Sequence, residues 1–298
     1  MIVPVTGDVE HVDLADGRRC EVYVSGPVGG TPLVLHHGTP GGAAPVGVFE
    51  RAAHERGLRL VVPARPGYGS STRRAGRCVA DVAVDTGAVV AALGHATCLV
   101  AGWSGGGPHA LACGARLAGA AGVVVFASVA PHDAIGIDWT GGMGQDNLDE
   151  FGAAAHGEDA LRALLEPAAS VLASTPASQI GDMLASLLCD ADRAVVAGEM
   201  GADLEASVRA GIATSADGWV DDDLAFVAPW GFPLHEVRVP TYLWQGSDDL
   251  MVPLAHGEWL GEHVPGITAH LLGGEGHLSI VEHHVGRALD ELLAGAYV

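Results

Sequence analysis

Three short stretches of this chain set a reactive side chain beside the glycines needed to expose it. Gly102-Trp103-Ser104-Gly105-Gly106 follows an apolar run and precedes a small-residue helical stretch. A serine on so sharp a strand-to-helix turn has its Oγ pushed out above a sheet, and only small neighbours fit around it. The same turn aims the backbone N–H of Gly105, at the helix N-terminus, towards a developing oxyanion. A serine alone is a poor nucleophile and needs a base held in place. Gly274-Glu275-Gly276-His277 supplies a histidine on a Gly-rich loop. Gln245-Gly246-Ser247-Asp248-Asp249 supplies two carboxyls, either of which could orient that base. The chemistry open to such a set is acyl transfer. Among 15 histidines, His256, His263 and His270 have no glycine loop to expose them, and His283 and His284 fall on the last predicted helix.

The elements that must position these residues read as follows. Val9 to Leu14 and Arg19 to Ser25 form a hairpin around Asp16-Gly17. Short apolar runs at Leu33 to His37, Leu58 to Val62, Cys98 to Ala101, Gly122 to Ala127, Thr241 to Gln245 and Ile267 to Leu272 predict strands. Helical spacing falls at Val46 to Arg56, at Val79 to Leu93, from the serine to about Leu117, and after His277. Strands that are apolar throughout, alternating with helices, predict an α/β fold whose mostly parallel sheet is covered on both faces. Ser104, both acids and His277 then share the carboxyl edge of the sheet, where open α/β sheets bind ligands. The alternation fails from His132 to Ala228, where short Ala-rich helical pieces predominate. The expected organisation is a core of residues 1–131 and 229–298 with a helical cap inserted at 132–228.

The composition bounds the function. A chain of 298 residues with 49% hydrophobic and 17% charged side chains can bury one large domain. A formal net charge of −21 argues against nucleic acid and anionic membrane surfaces as partners. It could favour cationic substrates, although a soluble, self-repelling surface is its default meaning. Five scattered cysteines without a CxxC pair read as small buried hydrophobes rather than as disulfides or a zinc site. Met1 to Glu10 lacks the pattern of a signal peptide, and the longest apolar run, Ala120 to Pro131, is too short to span a bilayer. A cytoplasmic protein acting on a small molecule is expected, with no cofactor and no metal and with its oligomeric state open.

At this point the residues resemble the α/β-hydrolase superfamily, in particular its cap-bearing esterase, epoxide hydrolase and dehalogenase-like branch. His37-Gly38-Thr39-Pro40 looks like that family's oxyanion loop and Arg65-Pro66-Gly67-Tyr68-Gly69-Ser70-Ser71 like its R-x-G-x-G-x-S loop. Gly246 to Asp249, with Val252-Pro253, looks like the acid loop, and Gly276-His277 like the histidine loop. The resemblance covers both core segments and is weak in the insertion. It implies an α/β-hydrolase fold with Ser104 as nucleophile, His277 as base and Asp249 rather than Asp248 as the orienting acid. It further implies an oxyanion hole from the backbone of Gly105 and Thr39, and a role for His37 in pinning the loop beside the substrate. Epoxide hydrolases and dehalogenases of this branch carry aspartate at the elbow, so Ser104 points to esters or related acyl bonds. Proline iminopeptidases share the loop but place tryptophan after the nucleophile, whereas Trp103 precedes Ser104.

Alternatives of other classes remain. The same triad elsewhere in the superfamily runs lyase, cofactor-free peroxide or cyclisation chemistry, and some relatives only bind small molecules. Dinucleotide binding at Gly102 to Gly107 fails, because Ser104 stands where the second glycine is needed. Of the tryptophans, Trp103 and Trp139 are expected at the pocket, and Trp219, Trp230 and Trp244 in packing. Asp221-Asp222-Asp223 reads as a solvated loop or helix start.

Overall fold

In the computed structural model, which describes residues 7–296, eight strands form one sheet. The chain runs β1 (Asp8–Asp13), β2 (Arg19–Ser25), β3 (Pro32–His36), α1 (Gly47–Glu55), β4 (Arg59–Pro63), α2 (Val82–Ala92), β5 (Cys98–Trp103), α3 (Gly106–Arg116) and β6 (Ala120–Phe126). Six helices follow: α4 (Gln145–Ala155), α5 (Glu158–Ser174), α6 (Ala177–Met183), α7 (Asp190–Val196), α8 (Glu199–Ile212) and α9 (Asp217–Val227). The sheet resumes with β7 (Thr241–Gly246), α10 (Leu254–His263), β8 (Thr268–Leu272) and α11 (Ser279–Ala296). The reading of Met1 to Glu10 as free of a leader falls mostly outside the described residues. No described helix is long and apolar enough to cross a membrane.

The strand order is β1-β2-β4-β3-β5-β6-β7-β8, with the hairpin antiparallel and every pairing from β4 to β8 parallel. The central strands are apolar on both faces because both are covered. Leu33, Leu35, Ala101 and Phe126 face α1 and α11, while Val34, Val100 and Val125 face α2 and α3. β8 falls where a strand was expected, and at the edge of the sheet its residues are exposed or half-buried. As the last strand, it has a neighbour on one side only. Cys20, Cys98 and Cys113 are buried, while Cys78 and Cys189 are half-buried, and all five are free.

Glycine earns its place at the turn from β5 into α3. Ser104 sits at φ 57°, in the left-handed region that costs an L-residue energy. The backbone is held there by its N–H bond to the Phe126 carbonyl at 2.9 Å and by its own carbonyl, which accepts from Gly107 N–H at 2.8 Å. A Cβ on Gly106 would collide with the His36 carbonyl of β3, and one on Gly102 with the carbonyl of Gly106. We therefore expect Gly106→Ala to cost at least about 3 kcal/mol, because backbone on a central strand cannot yield. Gly29→Ala, whose methyl meets nothing within 4 Å, should stay within about 0.5 kcal/mol of the parent. Urea midpoints of the two variants check the contrast.

Candidate active site

The carboxyl ends of β3, β5, β7 and β8 deliver their loops to one place. Ser104 follows β5, Asp249 follows β7 and His277 follows β8. Ser104 and His277 line the same cavity of about 340 Å³, together with His37, Thr39, Trp103 and Gly105. His277 Nδ1–H donates to Asp249 Oδ2 at 2.9 Å, and both side chains are buried. The other Asp249 oxygen accepts from the N–H groups of Met251 and Val252, each at 2.8 Å, and Gln245 Nε2 donates to Oδ2 at 3.1 Å. Asp248 instead is exposed and accepts from the Ser247 hydroxyl. Burial pushes the His277 imidazole towards the neutral form, but the charge and hydrogen bond of Asp249, aided by Asp192, outweigh it and raise its pKa.

Asp192 was not anticipated. It lies on α7, fully buried, and accepts from three consecutive backbone N–H groups: His277 at 2.9 Å, Leu278 at 2.8 Å and Ser279 at 3.0 Å. These are orphan donors at the start of α11, and a carboxylate there meets the positive end of the helix. A Cβ at Gly276 would collide with that carboxylate, so the glycine of the histidine loop leaves room for Asp192 as well as for the turn.

A second buried carboxylate holds the loop after β3. The Asp221-Asp222-Asp223 run is not solvated; all three lie buried on α9. Arg65 donates to Asp222 through Nε at 3.0 Å and Nη2 at 2.6 Å, and Arg77 Nη2 donates at 2.6 Å. Thr39 and Tyr68 hydroxyls donate at 2.7 and 2.8 Å, and His109 Nε2 at 3.2 Å. The two guanidinium groups hold the Asp222 carboxyl well below its usual pKa against the pull of burial. Arg65 also donates to the carbonyls of His37 at 2.6 Å and Gly38 at 3.1 Å. His37 Nδ1–H bonds the Gly38 carbonyl at 2.7 Å. With its hydroxyl committed to Asp222, Thr39 has only its backbone N–H to offer the cavity. A signal was present in the sequence: three acids in a helical stretch otherwise flanked by Trp219, Val220, Leu224 and Phe226, with Arg65, Arg73 and Arg77 far upstream.

The tryptophans sort differently from expectation. Trp103 lines the cavity and donates its indole N–H to the His277 carbonyl at 3.2 Å. Trp139 does not reach the wall. Its indole N–H is tied to the Ala130 carbonyl at 2.8 Å, and its ring packs edge-on against Phe151, which lines the cavity in its place. Trp219, expected only to pack, is a wall residue.

A family model described as the alpha/beta hydrolase fold matches residues 31–284. Among solved structures, a bromoperoxidase from Bacillus anthracis is similar at 20% identity and TM-score 0.70, covering 96% of this chain and 100% of that one. A thermophilic esterase from Thermogutta terrifontis is similar at 18% identity and TM-score 0.66, covering 98% and 100%. An esterase from Rhodococcus sp. ECU1013 is similar at 21% identity and TM-score 0.59, covering 97% and 98%. At these identities the likeness is one of fold. No curated protein matches the sequence.

Two stability predictions follow from the buried charges. Asp222→Ala strands Arg65 and Arg77 without their carboxylate and should cost about 3–5 kcal/mol, read from urea unfolding. Four buried histidines set the acid limit. Burial lowers His36 to about 3 and His256 to about 4, and holds His37 and His109 well below 6.5. Such groups are neutral in both states at high pH. Below their unfolded value of 6.5 only the unfolded chain gains the protons, so stability falls with pH. His277, shifted the other way, adds a constant below 6.5 and leaves that slope untouched. The Glu150 and Asp223 carboxyls, raised by burial, oppose it in part. The net expectation is a loss of about 3 kcal/mol per pH unit between about pH 6 and pH 5. A flat profile across that interval would mean that these histidines titrate normally.

Proposed function

Because the chain belongs to the α/β-hydrolase fold family, we propose that it is a serine hydrolase that cleaves a carboxylic ester, or a related acyl bond, of a small molecule. The observation that carries this reading is the left-handed backbone of Ser104 on the wall of the cavity that also takes in His277, whose Nδ1–H is bound to a buried carboxylate. Asp249 fixes the imidazole tautomer, leaving Nε2 to accept the Ser104 proton as Oγ attacks the substrate carbonyl. The backbone N–H groups of Gly105 and Thr39 would hold the oxyanion. The imidazolium returns its proton to the departing alkoxide, leaving an acyl ester on Ser104. A water molecule, deprotonated by His277, then releases the acid and restores the serine.

The helices between β6 and β7, within residues 132–228, act on this reading as a cap over the carboxyl edge of the sheet. Leu164, Leu165, Ala168 and Leu172 of α5 give the cavity an apolar wall suited to an acyl or alcohol chain. His37 serves the loop rather than the chemistry, since its ring is spent on the Gly38 carbonyl and the Arg65 N–H.

An active-site fluorophosphonate should label Ser104, identified by peptide mass spectrometry. Ser104→Ala should abolish labelling, and His277→Ala should slow it by several orders of magnitude, because the serine loses its base. A folded wild-type protein that takes no label at Ser104 would sink the proposal.

A further inference from the structure

The cavity wall is acidic in an uneven way. Asp146, Asp149, Glu150, Asp203 and Asp223 line it, no arginine does among the described residues, and the chain contains no lysine. Most of these carboxyls are spoken for. Asp146 accepts from the Ser186 hydroxyl at 2.6 Å, Asp149 from Gln145 at 2.8 Å and Asp203 from the Gly47 N–H at 2.7 Å. Glu150 has the indole N–H of Trp219 at 2.8 Å on one oxygen.

Asp223 is the exception. Its side chain is fully buried, and no N–H or hydroxyl donor reaches either of its oxygens among the described residues. Its neighbour is the Glu150 carboxyl, and two acceptors of this kind can be joined only through a proton that one of them carries. Burial, with the adjacent Glu150 charge, raises the Asp223 pKa, and burial also raises that of Glu150. Two adjoining buried carboxyls with at most one proton between them are costly to keep, and the cost falls when a ligand supplies further donors.

Resting on the hydrolase reading above, we propose that the substrate carries an ammonium group which seats between Asp223 and Glu150. A primary ammonium has three N–H donors, enough for both Asp223 oxygens and the free Glu150 oxygen. The position suits a substrate reacting at Ser104. Phe226 lies against Gly105, where an added Cβ would meet its ring at 3.1 Å. Asp223 precedes Phe226 by three residues on α9, about one helical turn or ~5 Å along the axis. The exposed Asp146 and Asp149 extend the negative field towards solvent, which draws a cation inward and repels anions.

The test is calorimetric binding of hexylammonium and hexan-1-ol, close in size and differing in charge, to wild-type, Ser104→Ala, Asp223→Asn and Glu150→Gln proteins at low salt. We expect hexylammonium to bind wild type and Ser104→Ala at least about tenfold more tightly than hexanol, the scale of a charged hydrogen bond. Asp223→Asn and Glu150→Gln should each remove most of that preference. Equal affinity for the two ligands in wild type would overturn the proposal without recourse to any variant. A preference surviving intact in Asp223→Asn would also overturn it, assigning the effect to the diffuse acidic field. Binding needs no turnover, so the two ideas fail separately. A serine inert to fluorophosphonate would remove the hydrolase reading and leave the ammonium subsite standing, and equal binding would do the reverse.

Discussion

Two guanidinium groups and one carboxylate lie buried together where α9 crosses the loop after β3, and none of them could remain there unpaired. Asp222, Arg65 and Arg77 are each almost completely withdrawn from solvent. Buried ion pairs seldom add net stability, since the cost of desolvation rivals the attraction. What this one supplies is position. Arg65 spends its remaining donors on the carbonyls of His37 and Gly38, and a peptide whose carbonyl is turned one way must present its neighbour's N–H another way. The orientation of the loop that carries Thr39 is thus set by a charge on a helix more than 180 residues later in the chain.

Asp192 repeats the arrangement on the other side of the cavity. It too comes from the helical insertion, and it too binds a loop at the end of a strand, by collecting the N–H groups at the start of α11. The insertion therefore supports the two loops on which the site stands, instead of merely covering them. A helix that only covered the site could move freely above it. These helices are bound to the core by buried carboxylates whose withdrawal would leave charged groups and backbone N–H donors unsatisfied in the interior.

The parts of the molecule legible in the sequence are those whose constraints are local. A strand covered on both faces must be a short apolar run, so β3, β4, β5, β6 and β7 stand out. A serine at a left-handed turn needs glycine around it, so the Gly102 to Gly106 stretch stands out too. The rest depends on partners far apart in the chain. Asp222 carries the same letter as a solvated acid, and only Arg65 and Arg77, brought in by the fold, make it a buried one. Trp139 and Trp219 are equally plausible wall residues by type. The choice falls to the path of the folded chain: a turn before α4 holds one indole against Ala130, and α9 directs the other towards Glu150. β8 was legible as a strand, but its edge position, which leaves its side chains partly in solvent, depends on the sheet order and not on its own letters.

The distribution of charge bears on how a reaction here would end. Asp249 and Asp192 both raise the affinity of the His277 imidazole for a proton, so on the proposed mechanism their field would stabilise the imidazolium formed as Ser104 attacks. The same carboxylates, with the negative charge along the cavity wall, disfavour a second anion nearby. Ester hydrolysis creates such an anion, because the acid released from an acyl-serine ionises at neutral pH. A neutral or cationic ester would thus enter a cavity compatible with its charge. The carboxylate left behind would lie among groups of its own sign, while a cationic fragment would still be attracted. Beyond that imidazolium, these carboxylates would leave the oxyanion to the backbone donors proposed at Gly105 and Thr39. On the proposed reaction the further effect of their field would fall on the last step, where it would set the order in which two products of opposite affinity leave a single cavity.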